Sequence, residues 1–180
     1  MQILVKHKMI QLVYSYDVIV DDEPGFQAVK KYFQFFTTFL LRDIHTLETV
    51  FTIKRQVSFF KPVYNLYRGN EAIVFRRLTF FYGHHQCKVS GDVYDIYANF
   101  EFRFSIFKNG TQVAWIARKN DSLLVGYNYE ITADSDCDAP LLAVFCLLID
   151  YTVFRSVGGR CLLETSDICE KDFDFGWLPK

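Results

Sequence analysis

The stretch APLLAVFCLLIDYTVF, residues 139–154, limits what this chain can fold into more than any other. From Leu141 to Ile149 nine residues are apolar without a break. A helix that is apolar all round has no face for water and must be enclosed. Asp136 and Asp138 precede it and Pro140 falls at its start, which predicts a helix over about 139–155. Acidic side chains accept the first free N–H groups there, and proline presets φ. Gly158-Gly159 predicts its end. A membrane-spanning helix needs ~20 apolar residues, and this run meets Asp150 after nine. The enclosure has to come from the rest of the chain.

That remainder reads as strand. LVYSYDVIV (12–20) alternates, and DDEPG (21–25) reads as a turn. In FEFRFSIF (100–107), Phe100, Phe102, Phe104 and Ile106 share one face, and Glu101, Arg103 and Ser105 the other. Lys108-Asn109-Gly110 predicts a hairpin, because Asn-Gly accepts the positive φ of a type I′ turn. TQVAWIARK (111–119) is the returning strand and LLVGYNYEI (123–131) another. Nineteen Phe and eleven Tyr suit pleated faces, and four Pro with nine Gly leave little room for long disordered segments.

A weak repeat runs through these strands. Basic pairs Lys30-Lys31, Lys54-Arg55, Arg76-Arg77 and Arg118-Lys119 each precede an apolar pair: Phe35-Phe36, Phe59-Phe60, Phe80-Phe81 and Leu123-Leu124. The steps between basic pairs are 24, 22 and 42 residues, the last close to two units. Such a step is two strands and two turns, the unit of an up-and-down meander. Roughly a dozen short strands fit before residue 135, and a meander that long closes rather than leave its edges free. A barrel of that width is not filled by its own side chains, so the helix is its expected plug. The expected fold is mainly β: a closed antiparallel β-barrel of about twelve strands around a central hydrophobic C-terminal α-helix. Residues 1–157 form it, and 158–180 are a C-terminal extension.

Charge is nearly balanced, 20 basic against 21 acidic, which does not suggest a nucleic-acid partner. Residues 1–130 hold 16 Lys/Arg and 12 Asp/Glu, and residues 131–180 hold 4 and 9, so the body is mildly basic and the tail acidic. Cys87, Cys137, Cys146, Cys161 and Cys169 are odd in number and lack CxxC spacing, which fits free thiols in a reducing compartment. At the N-terminus Gln11, Ser15 and Asp17 interrupt any signal-peptide core, so this reads as a first strand. The expected location is cytoplasmic, with or without peripheral membrane contact, and no transmembrane segment is expected.

The stretches FTIKRQVSFFKPVYNLYRGNEAIVFRRLTFF (51–81), FEFRFSIFKNGTQVAWIARK (100–119), GYNYEI (126–131) and LLAVFCLLID (141–150) together resemble the tubby C-terminal-like superfamily. The closest resemblance is to its LURP-one-related branch, over residues 1 to about 157. The hydrophobic helix ending in Asp150 is the most specific match. The resemblance implies a closed twelve-stranded barrel around a central helix. For function it implies binding rather than catalysis: tubby proteins bind phosphoinositides, and the related scramblases act at membranes. It assigns no site residue here, because the basic motif tubby proteins use for headgroups has no aligned counterpart.

The candidate sites come from the residues themselves. Lys54, Arg55, Arg76, Arg77, Arg118 and Lys119 are candidates for lipid-headgroup binding, since cations gathered on one barrel rim can hold phosphate. The other reading is solvated strand ends that discourage edge pairing. Neighbours on a strand face opposite ways, so half of each pair shares a surface. His84-His85-Gln86-Cys87 has metal-capable side chains but no second cluster nearby in sequence, and it reads as an exposed loop. Asp150 is either a desolvated acid with chemistry to do or a structural acceptor of hydrogen bonds from the barrel rim. Cys146 reads as core packing. No GxSxG, P-loop, GxGxxG or HExxH is present, so no catalytic residue, metal or cofactor is expected. The tail EKDFDFGWLPK (170–180) is either an arm carrying aromatic anchors for a protein partner or a segment docked on the barrel. The expected role is a non-enzymatic binding or scaffold module for anionic lipid, or alternatively a protein-interaction module using this tail.

Overall fold

The computed structural model of the chain describes residues 1–10, 13–31, 38–56, 62–79, 83–99, 102–119, 128–155, 171 and 173–180. Twelve strands run in order: β1 (Gln2–Ile10), β2 (Val13–Val20), β3 (Glu23–Lys31), β4 (Thr38–Asp43), β5 (Thr49–Gln56) and β6 (Val63–Arg68). They continue as β7 (Glu71–Arg77), β8 (His85–Val89), β9 (Asp92–Asn99), β10 (Arg103–Lys108), β11 (Thr111–Lys119) and β12 (Asn128–Ala133). Each pairs antiparallel with its neighbours in sequence, and β1 pairs with β12 to close the barrel. Closure leaves no edge strand unpaired. The expected fold class is therefore borne out.

Period-two alternation sends one set of side chains into the lumen. Ile3 and Val5, Tyr16 and Val18, Phe51 and Ile53, Ile73 and Phe75, and Phe104 and Ile106 are all buried. The hairpin at Asn109-Gly110 forms as the sequence predicts, with φ of 50° and 84°. The turn expected over 21–25 is shorter. Asp21 and Asp22, both at positive φ, make it alone, and Pro24 and Gly25 open β3. Pro24 is tolerated because β3 meets β4 only from Phe26 onward, so on that side its missing N–H costs no ladder bond. The apolar pairs at 35–36, 59–60, 80–81 and 123–124, with Phe100 and Glu101, lie outside the described residues.

The helix α1 (Ala139–Ile149) fills the lumen, and every residue from Leu141 to Ile149 is buried. Asp138 is its N-cap, accepting from the Leu141 N–H at 3.1 Å, with Pro140 in the first turn. Phe145 packs against Phe75 and Tyr94, their ring centroids 5.9 and 5.6 Å away. Burying a large apolar side chain is worth about 1.5–3 kcal/mol, so the plug is a main source of stability. After Ile149 the backbone continues in π-helical form over Asp150–Arg155, with the Thr152 hydroxyl donating to the Leu148 carbonyl at 2.6 Å. The glycines at 158–159 lie outside the described residues.

Asp150 is 1 % exposed at the junction of the two helical forms. The Tyr16 hydroxyl donates to its Oδ2 and the Tyr129 hydroxyl to its Oδ1. These partners lie on β2 and β12, flanking β1 and the closure of the barrel. Of the two readings of Asp150, the geometry fits the structural one, with two tyrosine hydroxyls among its donors. Burial and the neighbouring carboxylate push the Tyr129 phenol well above its ordinary range, so it stays a donor. Asp150→Ala should cost about 3–5 kcal/mol, because it strands two buried hydroxyls. Tyr129→Phe should cost about 1.5–3 kcal/mol, the worth of one bond to a charged group. Urea unfolding of both variants and the double variant checks this; a loss below about 1 kcal/mol for Asp150→Ala would remove the clamp from the account.

Candidate functional site

In an up-and-down barrel, odd strands all end at one rim and even strands begin there. The four basic pairs sit at the ends of β3, β5, β7 and β11. Topology therefore brings Lys30-Lys31, Lys54-Arg55, Arg76-Arg77 and Arg118-Lys119 to one rim, although they span 90 positions of sequence (119 − 30 + 1). The repeat steps of 24 and 22 are two-strand steps. The step of 42 skips β9, which ends in Ala98-Asn99.

Alternation then divides each pair. Lys30 follows buried Ala28, Arg55 follows Phe51 and Ile53, Arg77 follows Ile73 and Phe75, and Arg118 follows Ala114 and Ile116. These four take the inward register. Lys31, Lys54, Arg76 and Lys119 take the outward one. The six residues expected at the site thus share the rim but not one surface: Arg55, Arg77 and Arg118 are inward, and Lys54, Arg76 and Lys119 outward.

The outward members lie on the barrel wall. The Lys54 ammonium sits 5.3 Å over the Tyr67 ring, Arg76 donates to Gln86 Oε1 at 3.1 Å, and Lys119 pairs with Glu130 at 2.6 Å. The inward members surround the point where the helix reaches the rim. The Lys30 ammonium lies 5.2 Å over the ring of Tyr151, which follows the clamp residue Asp150. Arg118 lies 5.0 Å over the Phe102 ring and tempers the charge around Tyr129. Burial raises the Tyr64 phenol, and nearby Arg55 counters that. Arg77 is partly buried, which weakens its hold on its proton. The negative end of the helix dipole points at this rim, a favourable setting for cations.

Beneath the cations lies a polar collar of inward, buried side chains: His7, Tyr16, Tyr64, His85 and Tyr129. His84-His85-Gln86-Cys87 is therefore not the exposed loop its sequence suggests. It leads into β8, where His85 and Cys87 face the lumen and His84 is buried against Tyr97 with its Nε2 2.9 Å from Asp95. His85 Nδ1 donates to the Gly83 carbonyl at 3.0 Å, which fixes its tautomer. Among the described residues no three His, Cys, Asp or Glu side chains converge as a metal site. The thiols are dull: burial pushes Cys87 up to about 12, Cys137 up to about 11, and Cys146 well above its ordinary range. Cys161 and Cys169 lie outside the described residues.

The opposite rim is acidic. Asp21, Asp22 and Glu23 lie at one turn, Asp43 and Glu48 at the next, then Glu71 and Asp92, and Asp134, Asp136 and Asp138 before the helix. Among the cations at this end, Arg68 and Lys108 are paired with Asp138 and Asp92, and Arg42, Lys88 and Lys180 also lie here. Lys30 and Lys31, the first of the four repeated basic pairs, belong to the basic rim with the six residues named as headgroup candidates.

The residues 173–180 dock on the outer wall of β10–β12. Phe173 meets Trp115, and the Trp177 Nε1–H donates to the Gln112 carbonyl at 3.1 Å. This is the docked alternative of the two open for the tail.

One pH effect follows from the collar. Burial, with Arg77 nearby, depresses His85 to about 3, against 6.5 in the unfolded chain. Between those values the unfolded state binds more protons, so stability is full above pH 6.5 and falls as pH drops towards 3. The slope is at most about 1.4 kcal/mol per pH unit. Thermal unfolding from pH 7 to 4 should show the loss, and His85→Phe should flatten it; an unchanged slope would place the protonation elsewhere.

A family model described as LURP-one-related matches residues 1–150. No curated protein and no solved structure matches the chain. Among the described residues, no helix is long and apolar enough to cross a membrane. The matched span takes in all twelve strands and the helix up to its clamp residue. The chain belongs to the LURP-one-related family, part of the tubby C-terminal-like superfamily.

Proposed function

We propose that this chain is a non-enzymatic binding module that holds anionic lipid headgroups at its basic rim, at the cytoplasmic face of a membrane. The observation that carries this is the convergence of four basic pairs on one rim, each contributing one inward cation around the end of the central helix. Arginine suits phosphate because its planar fork donates two parallel hydrogen bonds, and three of the four inward positions are Arg55, Arg77 and Arg118. The acidic opposite rim supports the reading by giving the barrel one preferred orientation toward an anionic surface. A net charge of −1 is then no obstacle, since the lipid meets one rim and not the average. The phosphoinositide binding implied by the resemblance agrees with it.

A second reading, a protein-interaction module working through the tail, draws on Phe175 and Leu178, each 79 % exposed.

Flotation with neutral, anionic and phosphoinositide-containing vesicles tests the first reading. Binding to the anionic vesicles should fade with added salt. Replacing Arg55 and Arg77 together by Gln should weaken it about tenfold or more, at about 1 kcal/mol per basic residue. Replacing Lys54 and Arg76 should weaken it less, and Lys108→Gln on the far rim should leave it unchanged. Absence of binding to every vesicle at low salt would sink the lipid reading.

A further inference from the structure

The end of the barrel opposite the basic rim holds a cleft of about 820 Å³ beside the start of α1. Its buried lining is apolar: Val89, Val113 and Leu141, with the ring of Tyr94. Asp92, Asp134, Asp136 and Asp138 also line it, against Arg68, Lys108 and Lys180. These charges are not equivalent. Arg68 is paired with Asp138, and Lys108 with Asp92 at 2.9 Å. Asp134 is 5 % exposed, and its Oδ1 accepts from the Lys180 N–H at 2.7 Å. Among the described residues, Asp134 Oδ2 has no partner, and the exposed Asp136 carboxylate makes neither a hydrogen bond nor an ion pair. Two carboxylates against the Lys180 ammonium leave the cleft acidic. The turns around it carry Asp21, Asp22, Asp43, Glu48 and Glu71, which Arg42 and Lys88 offset only in part.

Tyr94 makes the cleft more than an acidic surface. It is 8 % exposed, and among the described residues its hydroxyl has no hydrogen-bond partner. Its ring is fixed against Phe145, and its phenol end feels the charges of Lys108, Asp92, Cys137 and Asp138, all of which line the cleft. A buried hydroxyl left unpaired is costly, and this one faces the space from which a ligand can supply the partner.

We infer that this cleft binds a linear polyamine, with its ammonium groups on Asp134, Asp136 and the Tyr94 hydroxyl oxygen and its methylene stem over Val113 and Leu141. Three features select that class. The acidic surplus in a cleft with apolar walls favours a cation. The apolar lining favours an alkyl stem over a bare ion, and among the described residues no three His, Cys, Asp or Glu side chains converge to hold a metal. Three separate unpaired acceptors call for more than one ammonium, since each ammonium offers donors from a single point. The cleft lies at the far end from the basic rim, so this inference does not rest on the lipid reading.

Spermidine titrated into the full chain at low salt, followed by backbone amide resonances, tests it. Saturation at one site is expected, with shifts gathered at Asp92, Tyr94, Asn109 and Ser135 and with the basic rim unmoved. Tyr94→Phe keeps the ring on Phe145 and should weaken binding about threefold or more. Asp136→Asn, at an exposed position, should weaken it about fivefold or more. Asp22→Asn removes a charge from the same end outside the cleft and should change affinity less than about twofold. Magnesium chloride should leave the cleft amides unmoved. Acetyl-lysine amide offers the same ammonium as a protein side chain would, singly, and should bind about tenfold more weakly or less. Absence of shifts, or shifts spread over every acidic turn, would overturn the site. So would equal losses in Asp22→Asn and Asp136→Asn, or full affinity in Tyr94→Phe. Magnesium moving the same amides would overturn the organic cation, and acetyl-lysine amide binding as tightly as spermidine would overturn the polyamine as occupant.

Discussion

The molecule is organised by a helix that cannot face water. Leu141 to Ile149 are buried on every side, and one closed sheet provides all those sides. The dependence runs both ways. Twelve strands close around a lumen too wide for their own side chains to fill, and without Phe145 between Phe75 and Tyr94 the wall would face a void. Packing alone leaves such a plug free to slide or turn. Asp150 removes that freedom, because its two oxygens must meet Tyr16 on β2 and Tyr129 on β12 together. A buried carboxylate is costly wherever it lacks donors, so the clamp also fixes which end of the helix reaches which rim.

Orientation of the helix and sorting of charge are then one fact. The helix begins among Asp134, Asp136 and Asp138 and ends among Lys30, Arg55, Arg77 and Arg118. Each rim therefore faces the helix end whose dipole it complements. The polar collar of tyrosines and histidines under the basic rim lets cations sit next to an apolar core without an abrupt boundary. In the proposed lipid-binding reading, opposite charge at the two ends would turn the barrel end-on to an anionic surface, inward cations first and acidic rim away.

What the sequence disclosed was what is decided locally. The Asn109-Gly110 turn, the limits of β11 and the capped start of the helix each depend on a few adjacent residues. The repeat of basic pairs was legible too, because the meander puts equivalent positions two strands apart. Three features were not legible. The split of charge between body and tail is a division along the chain, whereas the division in space runs between rims and interleaves every hairpin. The partners of Asp150 lie 134 and 21 residues away, which no spacing rule reaches. His84-His85-Gln86-Cys87 looked like a loop because two histidines are polar, yet the alternation of His85, Cys87 and Val89 makes it a wall strand.

The central claim is that one rim of this barrel, and not its wall or its far end, meets an anionic membrane. Hydrogen exchange on the full chain with and without anionic vesicles tests it most directly. The account predicts added protection at the ends of β3, β5, β7 and β11, with the turns at Asp21-Asp22 and Asn109-Gly110 unchanged. Protection at those acidic-rim turns, or spread evenly over the wall, would contradict it.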